Sequence, residues 1–166
     1  VYFKNLLARQ FDQPEPNLIW VSDITYIKVG DQYYYICVIL DLFSRKVLSY
    51  SISDTINTTL SLSTFDTAFQ VRCRPNNLMF HSDQGVQYTA YAFRKHLREL
   101  KVKQSFSTPG TPYDNSVCES FFHTLKKEAL YHHLYATPQE LGEVLNEYIE
   151  FYNGYRPHRK LNMKTP

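Results

Sequence analysis

The chain has 166 residues, 43% of them hydrophobic and 16% aromatic, and its 18 basic and 16 acidic residues leave a formal net charge of +2. That length and apolar content fit one folded domain and exclude a disordered or low-complexity chain. No run approaches the roughly 18 apolar residues of a membrane span, and the opening VYFKNLLARQF lacks the basic, apolar and small-residue order of a secretion signal. Cys37, Cys73 and Cys118 are far apart with no C-x-x-C pattern, which suits reduced thiols better than disulfides or zinc. A soluble, cytoplasmic protein is expected.

The first element is NLIWVSDITYIKV (17–29), with apolar or β-branched residues on both alternating faces. This pattern predicts a central strand covered on both sides. VGDQ reads as a turn, YYYICVILDL (33–42) as a second strand, FSR as a turn, and KVLSYSIS (46–53) as a third strand. Short connections make the three an antiparallel meander.

From about Thr58 to Arg72 the spacing of Leu62, Phe65, Ala68 and Phe69 turns helical, and Pro75 closes the segment. NLMFHSD (77–83) is a short strand ending at the turn DQG. A helix from about Thr89 to Leu100 follows, with Thr89 as its cap and a basic cluster on its solvent side. KQSFS (103–107) is an edge strand and TPGTPYDN (108–115) a loop. DNSVCESFFHTLKKEAL (114–130) is the next helix, and a last helix runs from about Pro138 to Tyr152 with Pro at its first position. The order βββαβαβαα implies an α/β fold with a mixed sheet and helices on both faces. No repeat or linker divides residues 1–166, so one domain is expected.

The charge is unevenly distributed. RKHLRELKVK (94–103) holds five bases and one acid, a surplus of 5 − 1 = 4, and RPHRKLNMK (156–164) holds four bases and no acid. Such clusters meet nucleic-acid phosphates; their bland counterparts are a solvated helix face and a basic tail.

Three acids stand out. Asp23 interrupts the first strand, where aspartate is disfavoured and a desolvated charge needs a partner; a Lys, an Arg or an edge position would answer that need. Asp83 ends the fourth strand, where site residues gather and where Asp also makes turns. Glu119 falls in the first turn of a helix, three residues after Ser116, a spacing that also spells a capping box. Three acids brought together from two strands and a helix would repel one another. Divalent cations resolve that conflict, and paired magnesium or manganese ions with oxygen ligands are a known device for in-line displacement at phosphorus.

WVSDITY, HSDQGVQY and DNSVCESFFHTLKKE, with 119 − 83 − 1 = 35 residues between the second Asp and the Glu, resemble the D-D-(35)-E signature of the integrase core. That core is shared by retroviral integrases and the insertion sequence three class of bacterial transposases. DLFSRKVL (41–48), Lys126 and the closing YNGYRPHRKLNMKTP extend the resemblance to the bacterial class over nearly the whole chain. It implies a ribonuclease H-like fold, a five-stranded mixed sheet in order 3-2-1-4-5 with helices on both faces. It also implies that Asp23, Asp83 and Glu119 are the catalytic, metal-binding triad, with two Mg2+ or Mn2+ ions in the active complex. Asp41, a fourth acid on a neighbouring strand, is read instead as fixing the turn to Ser44 and Arg45.

The implied activity is DNA transposition and integration: metal-dependent 3′-end cleavage and strand transfer. Its partners would be the element ends and target DNA, in a homo-oligomer, with no membrane, on the bacterial nucleoid while bound. Lys126 lies seven residues past Glu119, two helical turns, and should face the same side toward a phosphate. Lys127, Arg156, His158 and Arg159 are further DNA-contact candidates, with surface ion pairing as the bland reading of Lys127. His132 and His133 read as surface residues, Cys118 as packing. The loop STPGTPYDN is expected to order around the substrate end. No helix-turn-helix region precedes VYFKNLL, so a catalytic core without its end-reading domain is expected. The rivals are a ribonuclease H-type or junction-resolving nuclease and an inactive DNA-binding module.

Overall fold

The computed structural model describes residues 3–166. Its sheet comprises β1 (Ile19–Val29), β2 (Gln32–Asp41), β3 (Val47–Ser53), β4 (Met79–Ser82) and β5 (Lys103–Phe106) in the order β3-β2-β1-β4-β5. The first three strands form the antiparallel meander, and β4 and β5 add in parallel. The five helices are α1 (Thr58–Val71), α2 (Val86–Thr89), α3 (Tyr91–Glu99), α4 (Ser116–Glu128) and α5 (Pro138–Gly154). The expected α/β architecture, strand order and edge position of β5 are all present.

Strand alternation divides the interior into two cores. Val21, Val38 and Leu40 meet Phe121 and Leu125 of α4 and Leu145 of α5 on one face. Trp20 and Ile39 meet Phe65 of α1, Phe80 of β4 and Phe93 of α3 on the other. Gly30, at φ +57°, lets β1 turn into β2 within two residues. Asp41 closes the next turn by accepting from the Ser44 amide at 2.9 Å and the Ser44 hydroxyl at 2.8 Å, as expected.

Two local expectations are corrected. Thr89 does not cap a helix: it ends α2, and its hydroxyl donates back to the Gly85 carbonyl. α3 starts after Ala90 with no side-chain cap. Nor is β1 covered along its whole length. β4 pairs with it only over Ile19–Val21, so Tyr26 and Lys28 lie beyond the shelter of the α1–α3 layer and are exposed.

α5 opens with the capping pattern that sequence reasoning assigned to α4. Thr137 accepts from the Glu140 amide at 3.3 Å, and Glu140 accepts in return from the Ala136 amide at 2.8 Å, with Pro138 at the first position.

Candidate active site

β1 and β4 part after the pair Val21–His81. Asp23 and Asp83 each stand two residues beyond that pair, where the two strand ends diverge and leave a cleft of about 480 Å³. Glu119, in the first turn of α4, lines the same cleft, together with Gln84, Asn115 and the loop from Ser107 to Pro112. The three acids singled out in the sequence are thus brought together by two strands and a helix.

Their surroundings differ. Asp23 is half-buried, and its carboxyl pKa is raised to about 7, first by burial and then by the negative charge of Asp83. The Ile24 amide, donating to its Oδ1 at 2.8 Å, acts in the opposite direction. Glu119 adds to the repulsion and Lys126 relieves part of it. Asp83 uses Oδ1 to accept from the Gly85 amide at 2.9 Å, so the Asx turn weighed from sequence is present and orients the carboxylate. Glu119 is exposed to the cleft, and residual burial raises its pKa.

Glu119 caps nothing. Ser116 is already helical (φ −58°, ψ −25°), the N-cap position falls to Asn115, and no side chain caps the helix. The start of α4 is held from across the sheet instead. Asn115 Nδ2 donates to the Ser22 carbonyl at 3.1 Å, one residue before Asp23. The 3₁₀ turn Pro112–Asn115 delivers Asn115 to that position.

Behind it, Asp114 accepts from Arg9 Nε at 2.7 Å, Asn5 Nδ2 at 2.9 Å and the Thr108 amide at 2.9 Å. These contacts hold its pKa down at about 2. The buried His81 ring bonds the Ser105 hydroxyl at 2.8 Å and the Asp114 carbonyl at 2.9 Å, and burial lowers its pKa to about 4. His81, Asp114 and Asn115 were not recognised in the sequence. The signals were present: a His two residues before Asp83 on a buried strand, and an Asp-Asn pair immediately before the helix.

Among the described residues, no Lys or Arg pairs with Asp23, Asp83 or Glu119. Asn115 Oδ1 is a further buried oxygen in the cleft wall without a partner. An all-oxygen donor set with excess negative charge fits a hard divalent cation. Among the described residues no three such side chains gather tightly enough to enclose one ion. The carboxylates are spread around the cleft.

The basic candidates separate into two groups. Lys126 faces the site as expected; its ammonium feels the Asp23 charge and sits 5.6 Å from the centre of the Tyr26 ring. Lys127 and Arg159 are exposed. Arg156 and His158 are committed elsewhere. Arg156 forms a two-pronged pair with Glu128, at 2.8 and 2.7 Å, and Glu128 also accepts from Tyr148. His158 is buried against Tyr152, ring centres 4.4 Å apart, with its Nε2 at 3.1 Å from the Tyr152 carbonyl. Both fasten the C-terminal segment to the body.

A family profile described as "Integrase core domain" matches residues 13–112, and a second profile with that description matches residues 100–166. The putative transposase InsK for insertion sequence element IS150 of Escherichia coli is 38% identical over 98% of this chain and 57% of its own length. The transposase for insertion sequence element IS904 of Lactococcus lactis is 36% identical over 98% of this chain and 64% of its own. The chain therefore spans about three-fifths of the length of these relatives. Among solved structures, the catalytic core domain of HTLV-2 integrase in complex with magnesium superposes with a TM-score of 0.72 at 23% identity, covering 92% of this chain and 94% of that one. The simian T-cell lymphotropic virus intasome gives a TM-score of 0.77 at 23% identity, over 89% of this chain and 52% of that one.

Proposed function

This chain belongs to the integrase core family, in the insertion sequence three class of bacterial transposases, and on that premise we propose that it is the catalytic core of a DNA transposase. Its reaction is 3′-end cleavage followed by strand transfer, both by in-line attack on a phosphodiester. The single observation that carries this reading is the oxygen-lined cleft where Asp23, Asp83 and Glu119 meet and, among the described residues, no Lys or Arg forms an ion pair with them.

Asp23, Asp83 and Glu119 are the residues that would hold Mg2+ or Mn2+, with Asn115 Oδ1 as a further oxygen in the wall. Bound there as a pair, the ions would activate the attacking oxygen and stabilise the leaving 3′-oxygen. The protein contributes position. The Asx turn fixes Asp83, the Asn115–Ser22 bond holds the first turn of α4 to the strand that carries Asp23, and Lys126 supplies a cation for a phosphate near the reacting end. Lys127 and Arg159, both exposed, are further candidates for DNA contact. The loop from Ser107 to Asn115, anchored at its far end through Asp114, is the segment that would close over the DNA end. The active assembly holds more than one copy, and its partners are element ends and target DNA. Among the described residues, no helix is long and apolar enough to cross a membrane.

Strand transfer tests this reading. Pre-cut element ends incubated with target plasmid, the protein and magnesium should yield joined products, and a chelator should abolish them. Hydrolysis without joining would favour a nuclease, and no magnesium-dependent cutting at all would refute the assignment.

A further inference from the structure

A second groove of about 630 Å³ is lined by Lys126, two turns along α4 from Glu119. Its walls are the outer part of β1, the first residues of β2, and the connector between α4 and α5. Three tyrosines in it are largely exposed: Tyr26 at 59%, Tyr33 at 53% and Tyr131 at 68%. Tyr26 and Tyr33 meet edge to face, ring centres 5.5 Å apart, and Lys126 lies over Tyr26. The lining contains Lys28 and Lys126 and no carboxylate, and neither lysine has an ion-pair partner among the described residues.

A core-packing role does not explain this chemistry. Buried aromatic rings gain from leaving water, whereas these three remain in it, and solvent-exposed aromatic clusters of this kind mark contact surfaces. The two unpaired ammonium groups call for an anionic occupant. Rings that offer π-faces beside unpaired cations fit unstacked nucleobases on a phosphate chain, since stacking tolerates any base and the lysines neutralise the backbone. The interior of double-stranded DNA would offer the tyrosines no base faces, because its bases are already stacked.

We propose that this groove binds unpaired nucleotides flanking the reacting DNA end, with Tyr26 and Tyr131 stacking the bases and Lys28 and Lys126 holding the backbone. Lys126 is the hinge of the arrangement. It stands two turns from Glu119 on the same helix and contacts the Tyr26 ring, so one phosphate on Lys126 would be shared by the cleft and the groove. This subsite rests on the DNA-processing reading given above.

The test compares three probes of one sequence by fluorescence anisotropy at fixed salt with magnesium: a blunt duplex, the same duplex with three unpaired nucleotides at its end, and that overhang with abasic sugars. The protein should bind the unpaired form about five- to a hundredfold more tightly than the blunt form, the range that one stacked base supplies, and the abasic form should lose that advantage. Tyr131→Leu should lower the preference and leave blunt-duplex affinity unchanged. Equal binding of all three probes would overturn the groove while leaving the DNA reading intact, whereas binding of none would remove the DNA reading itself. If Tyr26→Leu abolishes self-association and the overhang preference persists, the groove is a protein interface and the proposal fails.

Discussion

The side-chain amide of Asn115 donates to the backbone carbonyl of Ser22 at 3.1 Å. This bond joins the first turn of α4, which carries Glu119, to the strand that carries Asp23. Because no side chain caps α4, its start is registered by the sheet and not by its own sequence. Asn115→Ala should therefore separate function from stability. Unfolding should shift by about 0.5–1.5 kcal/mol, the worth of one hydrogen bond, while strand transfer should fall by about tenfold or more through misplacement of Glu119. Parallel denaturant titrations and joining assays would show the split, and equal small effects on both would refute it.

Glu119→Gln should leave stability within about 0.5 kcal/mol and abolish joining, since Glu119 makes no capping bond. Ser116→Ala should be similarly silent toward unfolding. Thr137→Ala, which removes the cap of α5, should cost about 0.5–2 kcal/mol. Thermal or chemical unfolding of the three variants side by side checks the assignment of the cap to α5.

A cation that enters the cleft stabilises the folded state by mass action. At ten times its dissociation constant, Mg2+ or Mn2+ should add about 1.4 kcal/mol to the unfolding free energy. The increment should vanish in Asp23→Asn, which removes the charge that repulsion and burial already oppose. Calorimetry with and without metal reads both outcomes.

Lys126 and Arg156 should behave oppositely although both are basic. Lys126→Ala should weaken DNA binding and reduce the salt dependence of log K by about 0.9, the signature of one lost phosphate contact. Arg156→Ala should leave that slope unchanged and lower stability by about 0.5–1.5 kcal/mol, because its guanidinium is bound to Glu128. Binding isotherms across a salt series decide between them.

Asp114 sets an acid limit on the fold. Its carboxyl, held at about 2 by Arg9 and the Thr108 amide, ionises more readily in the folded than in the unfolded chain. Its contribution is complete above the ordinary carboxylate value near 4 and is lost as pH falls toward 2. Asp114→Asn should lower stability at neutral pH and flatten the decline between about pH 4 and pH 2, as followed by urea unfolding at a series of pH values.

The meander and the strand–helix alternation were legible because both depend on sequence features that survive in one dimension, whereas the strand order and the roles given to the three acids came with the family resemblance. The alternation of 17–29, the helical spacing after Thr58 and an aspartate interrupting a strand each carried a local signal. Misreadings arose where distant contacts outcompete local grammar. Ser116 and Glu119 spell a capping box, yet the bond from Asn115 to Ser22 draws the helix start one residue earlier. Arg156 and His158, DNA-contact candidates in the sequence, also bind Glu128 and Tyr152 within the chain, a pairing that one dimension does not show. Lys126 kept its expected side because seven residues return a helix to nearly the same bearing.

β1 has a partner on its β4 side only as far as Val21, and on that side it regains one at Val29, through a bridge to Tyr135 reinforced by the Gly30 amide donating to the Tyr135 carbonyl at 2.8 Å. Between those two anchors the strand is held on its β2 side alone. Asp23 sits beside one anchor and the exposed Tyr26 between the two, so carboxylate and aromatic surface share one strand. Changes in the α4–α5 connector would reach the carboxylates as a shift of the far anchor, with no side chain from that connector entering the cleft.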